Sequence, residues 1–187
     1  LPYPYDFDDI LPIKEHDGYY IYLGNNYERD FSFKKYYSDV AQTIPTYVHG
    51  NWLRFSPDRD HPETVLEKFP GIVFCDRTSF AAGLLWLQHA VTTTHISKDV
   101  FYHHGHITSR FADSLYAGIP SLVPIEYYRA DDYYGKEYVV GNIEELKDKI
   151  FWLSKLSVAN RMSERNRQAD SLRQLGVGID DWYKTVC

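Results

Sequence analysis

His104-Gly105-His106-Ile107-Thr108-Ser109-Arg110-Phe111-Ala112-Asp113-Ser114-Leu115-Tyr116-Ala117-Gly118-Ile119-Pro120-Ser121-Leu122-Val123-Pro124 passes from a loop through a glycine into a helix, then directly into an apolar strand. At about 100° per residue, Ile107, Phe111 and Leu115 share one helix face, and Ser109, Asp113 and Tyr116 fall on the opposite one. Gly118 stands where a helix takes a left-handed C-cap, and Pro120 forbids continuation. The spacing predicts a helix over 106–117 and a strand over 121–124. Just upstream, Thr92 to Ile96 is rich in β-branched residues and reads as a strand. Strand, loop, helix and strand in that order form a βαβ unit with parallel strands.

The alternation continues on both sides. Tyr19 to Leu23 reads as a strand stopped by Gly24-Asn25-Asn26. A helix from Arg29 to about Ala41 and a strand over Thr46 to His49 follow. Pro62 to Phe69 reads as a short helix opened by its proline, and Ile72 to Cys75 as a third strand. Phe80 to Ala90 is apolar nearly all round, which predicts a helix buried between layers. Beyond Pro124 comes a Tyr- and Asp-rich loop, then a short strand over 138–140. Asn142 caps a helix from Ile143 to about Leu156, with apolar residues at 143, 146, 150 and 153. A polar helix over about 159–175 closes the pattern. The expected fold is α/β: a doubly wound, Rossmann-like parallel sheet with helices on both faces. Residues 1–17 read as a Pro- and Asp-rich lead-in or linker, and 18–187 as one domain.

Composition narrows the function classes. The chain has 187 residues, a formal net charge of −6 and a pI near 5.7. A domain gripping nucleic acid by its phosphates is normally basic, so this lobe by itself is not expected to bind nucleic acid. Two cysteines make no disulfide framework, and Cys75 lies in an apolar run, so a reducing, cytoplasmic setting is expected. No stretch approaches the roughly 20 apolar residues of a membrane span. The chain opens on Leu1 rather than Met, so an excised piece of a longer protein is expected.

In open parallel sheets ligands bind outside the carboxyl ends of the strands. The helix opening at Gly105 to Thr108 offers free N–H groups and a positive dipole end there, which suits an anion. Gly105 lets the backbone approach closely, Thr108 and Ser109 add hydroxyl donors, and the Asp113 carboxylate can accept from ribose hydroxyls. The plain alternative for Asp113 is an i,i+3 pair with Arg110, worth about 0.2–0.5 kcal/mol. His95, His103, His104 and His106 with Asp99 raise a metal site. Adjacent histidines point differently and no zinc motif is present, so no metal is assigned. The loop Gly24-Asn25-Asn26-Tyr27 lacks Gly-x-Gly-x-x-Gly, which counts against a dinucleotide cofactor.

The run from Arg110 to Pro124 resembles the signature of retaining GT-B glycosyltransferases, a Leu-Glu-Ala-Met-Ala-Cys-Gly-Thr-Pro-like helix followed at once by an apolar strand. Gly135 to Leu146 is similar to the family's Gly-x-Gly-Leu/Tyr-Leu-Val and Asp-x-Glu-x-Leu segment. Tyr22 to Arg29 resembles the first strand and loop of the C-terminal donor-binding lobe. The resemblance implies one lobe of a GT-B fold that binds a nucleoside-diphosphate sugar as substrate, without a further cofactor. A second, N-terminal acceptor-binding lobe is then missing from the chain, which alone is inactive or weakly active. Asp113 matches the second Glu of the family's Glu-x7-Glu motif, implying a contact to the ribose; the first Glu falls at Gly105 and is absent. His104 or His106 stands in for its contacts to the donor sugar. Arg29 falls near the basic position implied to touch the diphosphate, with Gly105, His106, Ile107, Thr108 and Ser109 around the same anion. Asp76 and Arg77 lie in the loop implied to hold the base. No catalytic side chain is implied for this lobe. Tyrosine-rich, acidic composition is similar to that of phage enzymes that glucosylate modified DNA bases, so modified DNA stands beside glycan, lipid and protein as acceptor. The rival expectation is a non-catalytic interaction module using the Tyr-rich loop 127–138.

Overall fold

The computed structural model of the protein describes residues 10–23, 38–49, 70–75, 79–94, 109–126 and 130–174. Six strands are described: β1 Tyr19–Leu23, β2 Thr46–His49, β3 Ile72–Cys75, β4 Ala90–Thr94, β5 Ser121–Pro124 and β6 Val139–Val140. The helices are α1 Phe80–Gln88, α2 Ser109–Tyr116, α3 Ala130–Tyr134, α4 Ile143–Ser154 and α5 Val158–Gln174, beside a helical stretch at 38–41. All strand pairs are parallel, in the order β3-β2-β1-β4-β5-β6. The order reverses between β1 and β4, where a doubly wound sheet opens its ligand crevice.

Side chains alternate across the sheet and find a layer on each side. Tyr20, Val48, Ile72, Val91 and Leu122 face a core closed by Val40 and by Leu146, Ile150 and Leu153 of α4. Tyr19, Ile21 and Ala90 point the other way, under Leu84 and Leu87 of α1. On that same side Phe111 and Leu115 of α2 meet Val123, Val139, Tyr134, Ala169 and Leu172. Helices on both faces therefore follow from uninterrupted apolar strands, as the sequence predicts.

Several boundaries differ. The apolar helix ends at Gln88, and Ala90 opens β4 because it pairs with Tyr19 of β1. That helix is not buried all round: Phe80 and Leu85 are 60% and 53% exposed, since α1 covers the sheet with one side only. Most of the expected Tyr-rich loop is ordered: α3 and a 3-10 turn at Lys136–Tyr138. Ala130 and Tyr134, four residues apart, bury together, and the Tyr134 ring stands edge-on to Phe111 at 4.5 Å. Tyr138 is fully buried and donates to Glu164 Oε2 at 2.6 Å. Tyr134 and Tyr138 therefore belong to the core, while Asp131, Asp132, Lys136 and Glu137 stay exposed on the same segment.

The described lead-in, 10–17, is extended and hydrogen-bonded to the domain. Leu11 N donates to Tyr116 O at 2.9 Å, Asp17 N to His89 O at 2.8 Å, and Gln88 Nε2 to Pro12 O at 2.8 Å. The predicted polar helix, α5, is polar yet largely buried: Arg161, Arg165 and Gln168 are each at most 3% exposed. Each finds backbone partners, as burial demands. Arg161 reaches Lys14 O, Arg165 Nε reaches Leu115 O at 2.7 Å, and Gln168 brackets Ser121. No helix among the described residues is long and apolar enough to cross a membrane.

Candidate functional site

The carboxyl edge is aligned by strand register: Leu23 stands opposite His49, and His49 opposite Cys75. Helices start at this edge and run back along the sheet. Two of these starts satisfy themselves. In α1, Ser79 Oγ accepts from Ala82 N at 3.3 Å. In α4, Asn142 Oδ1 accepts from Glu145 N at 2.9 Å while Glu145 Oε2 reaches back past the cap to accept from Gly141 N at 2.7 Å. Both have spent donors that an anion needs.

A further helix, α2, follows β4 beside the switch point, and the residues that precede Ser109 lie outside the described residues. Its far end is fixed firmly. Ile119 N donates to Ser114 O and Gly118 N to Leu115 O, the paired bonds of a Schellman cap, with Gly118 at φ 84°. Inside the helix, Ser114 Oγ and Ser121 Oγ lie 2.5 Å apart and tie α2 to β5. The helix is thereby held rigidly against the sheet, with Phe111 and Leu115 inward. Asp113 and Tyr116 are half-buried on the opposite side, as the 100° spacing requires. Asp113 lies one turn, about 6 Å along the axis, from Ser109.

Of the residues singled out in the sequence, the structure places Asp113 and the backbone of Ser109 on α2. Arg29, Asp76, Arg77, His104, Gly105, His106, Ile107 and Thr108 lie outside the described residues, as do His95, Asp99 and His103. Among the described residues no group of His, Cys, Asp or Glu is arranged to hold a metal ion.

One edge residue escapes the sequence reading. His49 closes β2, is 3% exposed, and both ring nitrogens lack a hydrogen-bond partner among the described residues. It points to the α1 and α2 side of the sheet, because Val48 beside it faces the other core. Its ring lies 4.8 Å from that of Trp86 on α1, which also touches Tyr47 and Tyr19. Burial holds the imidazole below its ordinary pKa, so the neutral form is favoured. Burial likewise raises the Cys75 thiol, which leaves it protonated and unreactive at neutral pH. The only sequence signal for His49 was its place at a strand end before Gly50.

No family model and no curated protein sequence matches the chain. Solved structures do. A point mutant of T4 phage BGT in complex with UDP-glucose superposes with a TM-score of 0.66 at 16% identity, over 89% of this chain and 46% of that one. TarM superposes with a TM-score of 0.67 at 10% identity, over 96% of this chain and 37% of TarM. The fold is that of a GT-B glycosyltransferase lobe. AviGT4, a glycosyltransferase involved in avilamycin A biosynthesis, shares the GT-B lobe more loosely, with a TM-score of 0.50 at 11% identity over 86% of this chain and 52% of that one. The chain spans about half or less of each of these structures. Their likeness lies in the backbone; at 10–16% identity it assigns no side chain.

Proposed function

We propose that the chain is the donor-binding lobe of a two-lobed glycosyltransferase, holding a nucleoside-diphosphate sugar while a second lobe presents the acceptor. The observation that carries this reading is α2: the helix that follows β4 at the switch point, clamped at its C-terminus and bearing Asp113 one turn beyond Ser109. The diphosphate sits against the amides at the start of that helix, with Arg29, Gly105, His106, Thr108 and Ser109 around it. Asp113 accepts from the ribose, and Asp76 with Arg77 flanks the base. Breaking the sugar–phosphate bond leaves charge on the diphosphate, and fixed donors aimed there stabilise the transition state. A helix dipole with an Arg supplies that field without a metal. UDP is the first nucleotide to try, because T4 phage BGT was solved with UDP-glucose and TarM with UDP.

Titration calorimetry of the chain with UDP tests the proposal. Binding is expected for the parent chain, with a loss on the order of tenfold in Asp113→Ala and an unchanged melting profile. Unaltered affinity in Asp113→Ala removes the ribose role. No binding of UDP, GDP or ADP by the parent chain removes the donor-lobe assignment.

A further inference from the structure

Resting on the donor-lobe reading, we propose that the His49 imidazole hydrogen-bonds the nucleoside part of the bound nucleotide. A buried neutral imidazole has one donor and one acceptor to satisfy. The described fold gives His49 neither, although buried Arg165 and Gln168 in the same domain both reach backbone oxygens. A buried polar group without a partner is rare in a folded domain and marks a place where another group completes the set. A strand interior would make this an isolated packing defect. His49 instead is the last residue of β2, on the edge where open parallel sheets take their ligands.

The placement fits a nucleoside rather than a phosphate. Strands lie about 4.8 Å apart, and β1 alone separates β2 from β4, so His49 is about 10 Å across the edge from the end of β4. That distance matches the reach of a nucleoside whose diphosphate rests on the start of α2. His49 lies on the sheet face that carries α1 and α2, beside Trp86, so the ligand need not cross to the other layer. A neutral imidazole is a poor partner for a diphosphate but suits the carbonyl, imide and hydroxyl groups of a nucleoside.

Two measurements test this on the full 187-residue chain. In calorimetry, His49→Phe keeps the ring stacking but loses both nitrogens. UDP affinity is expected to fall on the order of tenfold, with inorganic pyrophosphate unaffected. In ¹⁵N spectra of histidine-labelled parent chain, the His49 ring resonances are expected to move on adding UDP or uridine and to stay still with pyrophosphate. A His49→Phe chain that binds UDP as the parent does, or ring resonances indifferent to UDP, overturns the proposal and leaves the donor-lobe reading standing. A parent chain that binds none of UDP, GDP and ADP brings down both.

Discussion

Replacing Gln168 by Leu probes how α5 is fastened to the sheet. The side chain is fully buried; its Oε1 accepts from Ser121 N at 2.9 Å, and its Nε2 donates to Ser121 O at 2.8 Å and Tyr134 O at 3.2 Å. Leu has similar bulk, so little cavity is created and the loss isolates hydrogen bonding. Ser121 N loses its amide partner at the mouth of β5, and two carbonyl oxygens lose a donor. An unsatisfied buried donor costs about 1–3 kcal/mol, and carbonyls left short of a donor add less, so a total of about 3 kcal/mol is expected. For a chain of this length each kcal/mol lowers Tm by about 2–4 °C, which gives a fall of about 6–12 °C. Thermal unfolding followed by far-ultraviolet circular dichroism measures it. A drop below about 2 °C would show that β5 does not depend on this amide, refuting the view that the polar face of α5 holds the sheet.

Other outcomes follow from the same structure. Gly118→Ala should cost about 1–2 kcal/mol for the left-handed backbone, and more because the new Cβ would stand 2.8 Å from Ile13 Cγ1; adding Ile13→Ala should restore only the second part, as read by urea midpoints. Tyr138→Phe should cost about 1.5–3 kcal/mol, because the hydroxyl donates to the Glu164 carboxylate at 2.6 Å; a change under about 0.5 kcal/mol in urea unfolding would show that bond to be incidental. His49 has a folded pKa below its unfolded value, so the unfolded chain takes up more protons as pH falls. Its contribution is fully present above about pH 6.5 and is lost progressively below it. The gap in urea stability between parent and His49→Phe should therefore shift in favour of the variant between about pH 7.5 and about pH 5.5; a constant gap contradicts the burial argument.

The apolar strands were legible one by one, because a central strand covered on both faces needs a run of apolar residues, as Tyr19 to Leu23 provides, and the edge strand Ile72 to Cys75 carries such a run although Val73 is exposed. Local chemistry also announced the ends of helices: Gly118 has the positive φ that its place before Pro120 requires, and Asn142 caps α4 through its own side chain. What hid α3 was composition, since Ala130 and Tyr134 make one apolar pair amid aspartates that read as loop. The exposed side of α1 was hidden for the converse reason: Phe80 and Leu85 look like core residues whether or not anything covers them.

Sequence alone settled the α/β class and the helix carrying Asp113, because periodicity, caps and strand runs are properties of neighbouring residues. The tertiary structure decided which partner each polar group met. Arg161, Arg165 and Gln168 look like a solvated helix face until Lys14, Leu115 and Ser121 offer backbone oxygens from distant parts of the chain. His49 looks like any strand-end histidine until the sheet sets it beside Trp86 with no group among the described residues to bond. Hydrogen-bond satisfaction of a buried group depends on atoms far away along the chain, so no local pattern can announce it.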